Sequence, residues 1–148
     1  MLQRSRYFIL CGALVALSSS AFGSGPQSLA GAWNVTIDFE GLPPCTAPSP
    51  LNADGGMIAN ACAASESPGY GQWVRTGHRR FAVTFVGLEY APDGSTNGTY
   101  KVRAEVRLSD DSQEFSGPFK TEIFDLSGNV IFTVTGTVRA KRVVIEQL

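Results

Sequence analysis

From Trp33 onward the chain alternates. Trp33, Val35, Ile37 and Phe39 are separated by Asn34, Thr36 and Asp38, so a strand here carries apolar side chains on one face and polar ones on the other. The pattern recurs to the end of the chain, and no stretch shows the three-to-four spacing of a buried helical face. Such a sequence cannot bury a helical bundle; it has to bury one side of an antiparallel sheet. Turn-forming residues cut the pattern at Asp54-Gly55-Gly56, Thr76-Gly77-His78-Arg79, Ala91-Pro92-Asp93-Gly94, Asp110-Asp111-Ser112 and Ser127-Gly128-Asn129.

Eight strands result. The first is centred on Trp33 to Phe39, and Glu40 to Pro48 reads as a Pro-rich loop that cannot continue a central strand. A short strand near Ser49 to Ala53 turns into a return strand from Met57 to Cys62, and Ala63 to Gly71 is a second long loop before a short strand from Gln72 to Arg75. Phe81 to Tyr90, Gly98 to Leu108, Phe115 to Asp125 and Val130 to Val144 follow as long, regular strands. Short connections make each strand the antiparallel neighbour of the next, a meander.

The N-terminal residues follow a different rule. Arg4 and Arg6 precede an apolar run from Tyr7 to Leu17, then small residues and an A-x-G box at Ala21-Phe22-Gly23, so residues 1–23 read as a secretory signal peptide and 24–148 as one domain. The run is shorter than the roughly 20 residues a spanning helix needs, so no stable membrane insertion is expected after cleavage. Leu10 before Cys11 is too bulky for a lipidation signal.

Secretion gives the two remaining cysteines a role. Cys45 and Cys62 are an even pair in an oxidising compartment, and their spacing is not that of a C-x-x-C redox site. A bond between them closes a loop worth about 3 kcal/mol in the chain-entropy model. A single His and no clustered Cys leave no zinc or copper ligand set, and no cofactor is implied. The net charge is −1 with both signs interspersed, which offers nucleic acid no basic strip to bind.

Register follows from the turns. A two-residue turn at Ser127-Gly128 sets Ile123 opposite Phe132, Phe119 opposite Gly136 and Gly117 opposite Val138, large against small. In the preceding hairpin, Tyr100, Val102, Ala104, Val106 and Leu108 form the inner face, and a turn after Ser112 sets Arg103 opposite Glu122 and Glu105 opposite Lys120. Eight strands with one apolar face either split into a β-sandwich or close into an eight-stranded antiparallel up-and-down β-barrel. Closure alone removes the exposed edges, and short sequential hairpins favour it.

Gly31-Ala32-Trp33 at the start of the first strand resembles the G-x-W motif of the calycin superfamily, the lipocalins and their relatives. The resemblance implies that Trp33 packs at the closed end of the barrel and that Arg142, from the last strand, covers it. The chain departs from the lipocalin pattern in lacking its T-D-Y signature and C-terminal helix. Over its mature length it is also similar to small secreted bacterial proteins, through Gly71 to Gly77 and Gly94 to Val106.

In a meander, successive turns alternate between the two ends. With Trp33 at the closed end, the turns at Gly55, Gly77 and Ser112 share that end, and both long loops and the turns at Pro92 and Gly128 frame the other. Cys45 and Cys62 then tie the two loops around a mouth. The expected lining is Phe39, Tyr70, Tyr90 and Ile123 near the opening, with Phe85, Tyr100, Phe119 and Phe132 deeper. The preferred expectation is a secreted barrel that binds a small apolar molecule in its interior. A barrel filled by its own side chains, serving as a structural or interaction module, is the alternative, and a cavity cyclase or isomerase of the kind found among calycin-like barrels is the third.

Catalytic constellations are not in view. His78 and the Asp110-Asp111 pair both fall in turns at the closed end, and the sequence has no G-x-S-x-G elbow, Walker loop or H-E-x-x-H. Glu89 is the one carboxylate whose place relative to the interior bears on chemistry. Asn34-Val35-Thr36 and Asn97-Gly98-Thr99 fit the N-glycosylation pattern.

Overall fold

The alternating pattern is realised, in a computed structural model that describes residues 27–148, as eight strands: β1 (Gly31–Phe39), β2 (Cys45–Leu51), β3 (Gly56–Ala59), β4 (Gly69–Gly77), β5 (Arg80–Tyr90), β6 (Thr96–Leu108), β7 (Glu114–Phe124) and β8 (Val130–Arg142). The signal peptide expected at residues 1–23 lies outside the described residues. The strands form a closed barrel in chain order. Closure is made by β8 against β1, from Trp33–Arg142 to Phe39–Gly136, so the barrel stands and the sandwich does not.

Turn chemistry sets most of the register. Asn52–Gly56, Ala91–Ser95 and Asp125–Asn129 share one form: the fourth residue, a glycine with φ between +82° and +94°, donates its N–H to the carbonyl of the first. Asp54, Asp93 and Asp125 each accept a backbone N–H two residues on, which fixes the turn locally. The last hairpin therefore pairs as its sequence indicates, Ile123 with Phe132, Phe119 with Gly136 and Gly117 with Val138.

The β6–β7 hairpin is offset by two residues from the expected pairing. Arg103 faces Lys120, and Lys101 faces Glu122. The cause is a tighter turn: Asp111 accepts from the Ser109 hydroxyl and the Gln113 N–H, Ser112 adopts φ +60°, and Leu108 pairs with Phe115. A slip of two leaves the inner face unchanged. Arg103 still reaches Glu122 diagonally at 2.6 Å, and Glu122 also takes Lys120 at 2.7 Å from its own strand.

β2 corrects the other expectation. The Pro-rich segment does continue a strand, with Pro48 opposite Asn34 and Pro50 opposite Ala32. The Pro48 carbonyl accepts from the Asn60 side chain, so the missing N–H of Pro48 also faces β3 rather than the β1 ladder. Prolines are tolerated because β2 and β3 scarcely pair: Leu51–Met57 is their single ladder position.

The core concentrates at the closed end. Trp33, Phe81, Leu29 and Leu108 are its largest fully buried side chains, and Trp33 meets Phe115 edge-on at 4.8 Å. The Trp33 indole N–H donates to the Leu29 carbonyl at 2.7 Å. The Arg142 guanidinium lies 4.2 Å from the Trp33 ring centroid and donates to the carbonyls of Ser28, Ala30 and Ser112. It thereby straps the N-terminal segment and the β6–β7 turn across the barrel floor.

Candidate functional site

The inner faces leave a narrow apolar cavity of about 100 Å³ running from the floor to the opposite rim. Leu51, Met57, Val106 and Phe115 form its lower part, and Val35, Ile37, Val102 and Ala104 its walls. These four wall residues are only half-buried although they point inward, so the cavity opens to solvent.

Three aromatic rings explain why the space is slender. Tyr100 is paired across strands with Gly87 and Phe119 with Gly136, and each ring lies where a Cβ on its glycine would stand; the Phe85 ring does the same at Gly69, while at Gly71, its cross-strand partner, the backbone of Thr84 and Phe85 fills that space. The mid-strand glycines accommodate rings instead of widening the interior. Phe39 meets Phe119 edge-on at 5.6 Å and Phe85 meets Tyr100 at 6.3 Å, so the upper wall is a chain of edge contacts.

The mouth is fenced by the loop before β4. Cys62 is bonded to Cys45 with the Cα atoms 5.8 Å apart, which joins this loop to the start of β2. Further on, the Tyr90 N–H donates to Ser65, the Ser67 N–H to Leu88, and the Leu88 N–H to the Ser67 hydroxyl, so the loop runs along the end of β5. The Tyr100 hydroxyl donates to the Ser67 carbonyl at 2.8 Å. Burial first, then the charges of Glu66 and Glu89, push the Tyr100 hydroxyl up to about 12, so it stays a neutral donor. Glu66 lines the cavity mouth, accepts the Cys62 N–H at 3.1 Å and faces Glu89 across an isolated bridge. Glu89 is held above its ordinary range by burial and then by Glu66.

Of the residues expected to line the interior, Phe39, Phe85, Tyr100 and Phe119 come together around the cavity. Tyr70 does not: β4 turns Gly69, Gly71 and Trp73 inward, which leaves Tyr70 on the outer face, 61% exposed. Tyr90 follows a bulge between Glu89 and itself and lies in an outer groove with Ser65 and Pro92. Ile123 and Phe132 pair with one another above the cavity, and Phe132 is half exposed at the rim. Trp33, Arg142, Cys45 and Cys62 occupy the expected ends of the barrel.

Sequence reasoning passed over Asn60, Glu66 and Thr121, which also line the cavity. Thr121 was legible by parity, two residues beyond Phe119. Asn60 and Glu66 were not, because their direction depends on how the loop docks. Neither a family model nor a curated protein matches the chain.

Proposed function

We propose that this is a secreted barrel that binds a small apolar molecule, with one slender apolar group of it inserted through the mouth. The observation that carries the reading is the continuous apolar lining, reachable from outside, with Tyr100 and Glu66 as polar groups at its open end. The size of the cavity bounds the ligand: at roughly 30 Å³ for a water- or methylene-sized group, about three such groups fit. A function outside the cytosol accords with the Cys45–Cys62 bond, which reducing compartments disfavour.

The volume also favours a second reading. Ligand pockets ordinarily measure about 300–1,000 Å³, so a filled barrel acting as an interaction module through its surface accounts for the small interior equally well. Native mass spectrometry of the protein purified from its own source separates them. A retained small apolar molecule, displaced by Ala104→Leu, is the expected result. A uniformly empty barrel that takes up no short-chain alcohol or alkane, with thermal stability unmoved by either probe, overturns the first reading in favour of the second.

A further inference from the structure

The carboxyl groups at the mouth lack a counter-charge within the chain. Glu66, in the loop before β4, and Glu89, near the end of β5, face one another at an isolated antiparallel bridge. The Ser67 N–H donates to the Leu88 carbonyl on one side of that pair, and the Tyr90 N–H to the Ser65 carbonyl on the other. It is therefore a non-hydrogen-bonded pair, the position where Cα atoms approach to about 4.5 Å and side chains lie closest. Glu89 has the inward parity of Phe81, Val83, Phe85 and Gly87, and Glu66 lines the cavity, so the face they share is the inner one.

Like charges directly opposite one another are destabilising. Among the described residues no Lys or Arg forms an ion pair with either carboxylate. The shortage extends around the rim: segments 40–44, 60–68, 89–96 and 124–130 carry Glu40, Glu66, Glu89, Asp93 and Asp125 and no Lys or Arg. Lys101, the first cation along β6 from the rim, lies over the Phe124 ring on the outer face at 5.5 Å. An opening lined by one sign of charge concentrates the other sign.

Hydrogen-bonding capacity points the same way. Glu66 accepts the Cys62 N–H through Oε2, which leaves Oε1. The Tyr100 hydroxyl has its proton on the Ser67 carbonyl, so only its lone pairs are left for a ligand, and the Ser67 hydroxyl donates to the Pro68 carbonyl. Directly beneath these acceptors lies an apolar space open to solvent, which the carboxylates alone would not supply.

We propose that the ligand is cationic, a short alkylammonium group with its carbon stem in the cavity and its ammonium at the mouth between Glu66, Glu89 and the Tyr100 oxygen. The inference rests on the reading of the interior as a binding site and names the chemical class that the site selects. An ammonium brings donors and no acceptor, which suits a mouth whose free positions accept. The cavity holds about three methylene-sized groups, the length of a propyl stem. A bare metal ion fits poorly, because no three His, Cys, Asp or Glu side chains gather among the described residues. An alcohol would fill the cavity equally but leave the two carboxylates opposed, and a carboxylate would add a third charge of the same sign.

NMR titrations of the oxidised mature chain at pH 7 and low ionic strength test it, with propylamine, 1-propanol and propionate as probes and the Val35, Val102 and Ala104 methyls as reporters. Propylamine is expected to bind about tenfold more tightly than 1-propanol, the scale of a charged hydrogen bond, and propionate more weakly than either. The amine-to-alcohol ratio is read within each variant, so a general loss of binding does not mimic the effect. Glu66→Gln and Glu89→Gln should each lower that ratio. Asp93→Asn should keep it, since that carboxylate is taken up by Ser95 in its own turn. Equal binding of amine and alcohol by the parent, or a preference that survives unchanged in both Gln variants, overturns this inference and leaves the apolar reading standing. Reporters unmoved by any of the probes overturn both together.

Discussion

β7 and β8 pair along their whole length, from Glu114–Lys141 to Phe124–Val130, whereas β2 and β3 meet at one ladder position, Leu51–Met57. The first seam is held by backbone bonds and has a bulge only beside its turn. The second is held at three unlike points: the Leu51–Met57 pair near the floor, the Asn60 side chain on the Pro48 carbonyl in the middle, and the Cys45–Cys62 bond at the mouth. A closed barrel thus does not need a uniform ladder. Where prolines remove donors, one covalent bond and one side-chain bond hold the ring together. The weak seam walls the cavity through Ala47, Ser49 and Ala59, so the side of the barrel that yields most easily is also a side of the candidate site.

The sharpest challenge to this contrast is at the floor, which both halves share. Trp33→Ala removes a fully buried ring that packs on Phe115 and is expected to cost about 3–5 kcal/mol, with one cooperative unfolding transition by circular dichroism and fluorescence. Two separate transitions would mean that the halves fold apart and that the seams cannot be compared within one unit.

Next in size, replacing both Cys45 and Cys62 by Ala is expected to cost about 3 kcal/mol in denaturant unfolding. The accompanying rise in hydrogen exchange should be concentrated in β2 and β3 and small in β6 to β8. Asn60→Ala tests the middle of the same seam. It leaves the Pro48 carbonyl without its side-chain donor and should cost about 1 kcal/mol by the same measurement, with β7–β8 protection unchanged.

The smallest effect is electrostatic and lies at the mouth. Glu89 holds its proton more tightly in the folded chain than in the unfolded one, where its carboxyl titrates near 4.5. Stability is therefore lost as pH rises from there through the folded value, the reverse of a salt-bridged carboxylate. Glu89→Gln should flatten that part of the stability–pH curve and raise stability at neutral pH, by less than about 1 kcal/mol because the group is largely solvated. A variant less stable than the parent at pH 7 would contradict this account of the mouth.

The contrast between the seams also marks what could be read from the residues alone. Strands with clean alternation, such as Tyr100 to Leu108, declare both their existence and their inner face, and the Ser127-Gly128 turn declares a register. β2 escaped because prolines argue against a strand in general, and only its near-absent pairing with β3 makes them harmless here. The β6–β7 register slipped by two because it depends on which backbone groups Ser109 and Asp111 bind. Tyr70 and Tyr90 carry the aromatic chemistry of a lining, but their direction is set by the glycines that β4 turns inward and by a bulge, neither of which leaves a periodic trace. The wall of edge-packed rings was visible as residues, while the fact that each ring occupies the space of a glycine was not.

The central claim is that one ring, closed by β8 on β1, carries one weak seam. Residue-resolved amide exchange of the oxidised protein tests both parts at once. The account predicts that amides bonded across β1–β8, those of Asn34 and Thr36 and of their partners Lys141 and Arg139, are protected as strongly as those across β7–β8, and that the amide of Thr46, the β3-facing donor that Pro48 and Pro50 leave in β2, exchanges much faster. Free exchange across β1–β8, or equal protection across β2–β3, would contradict it.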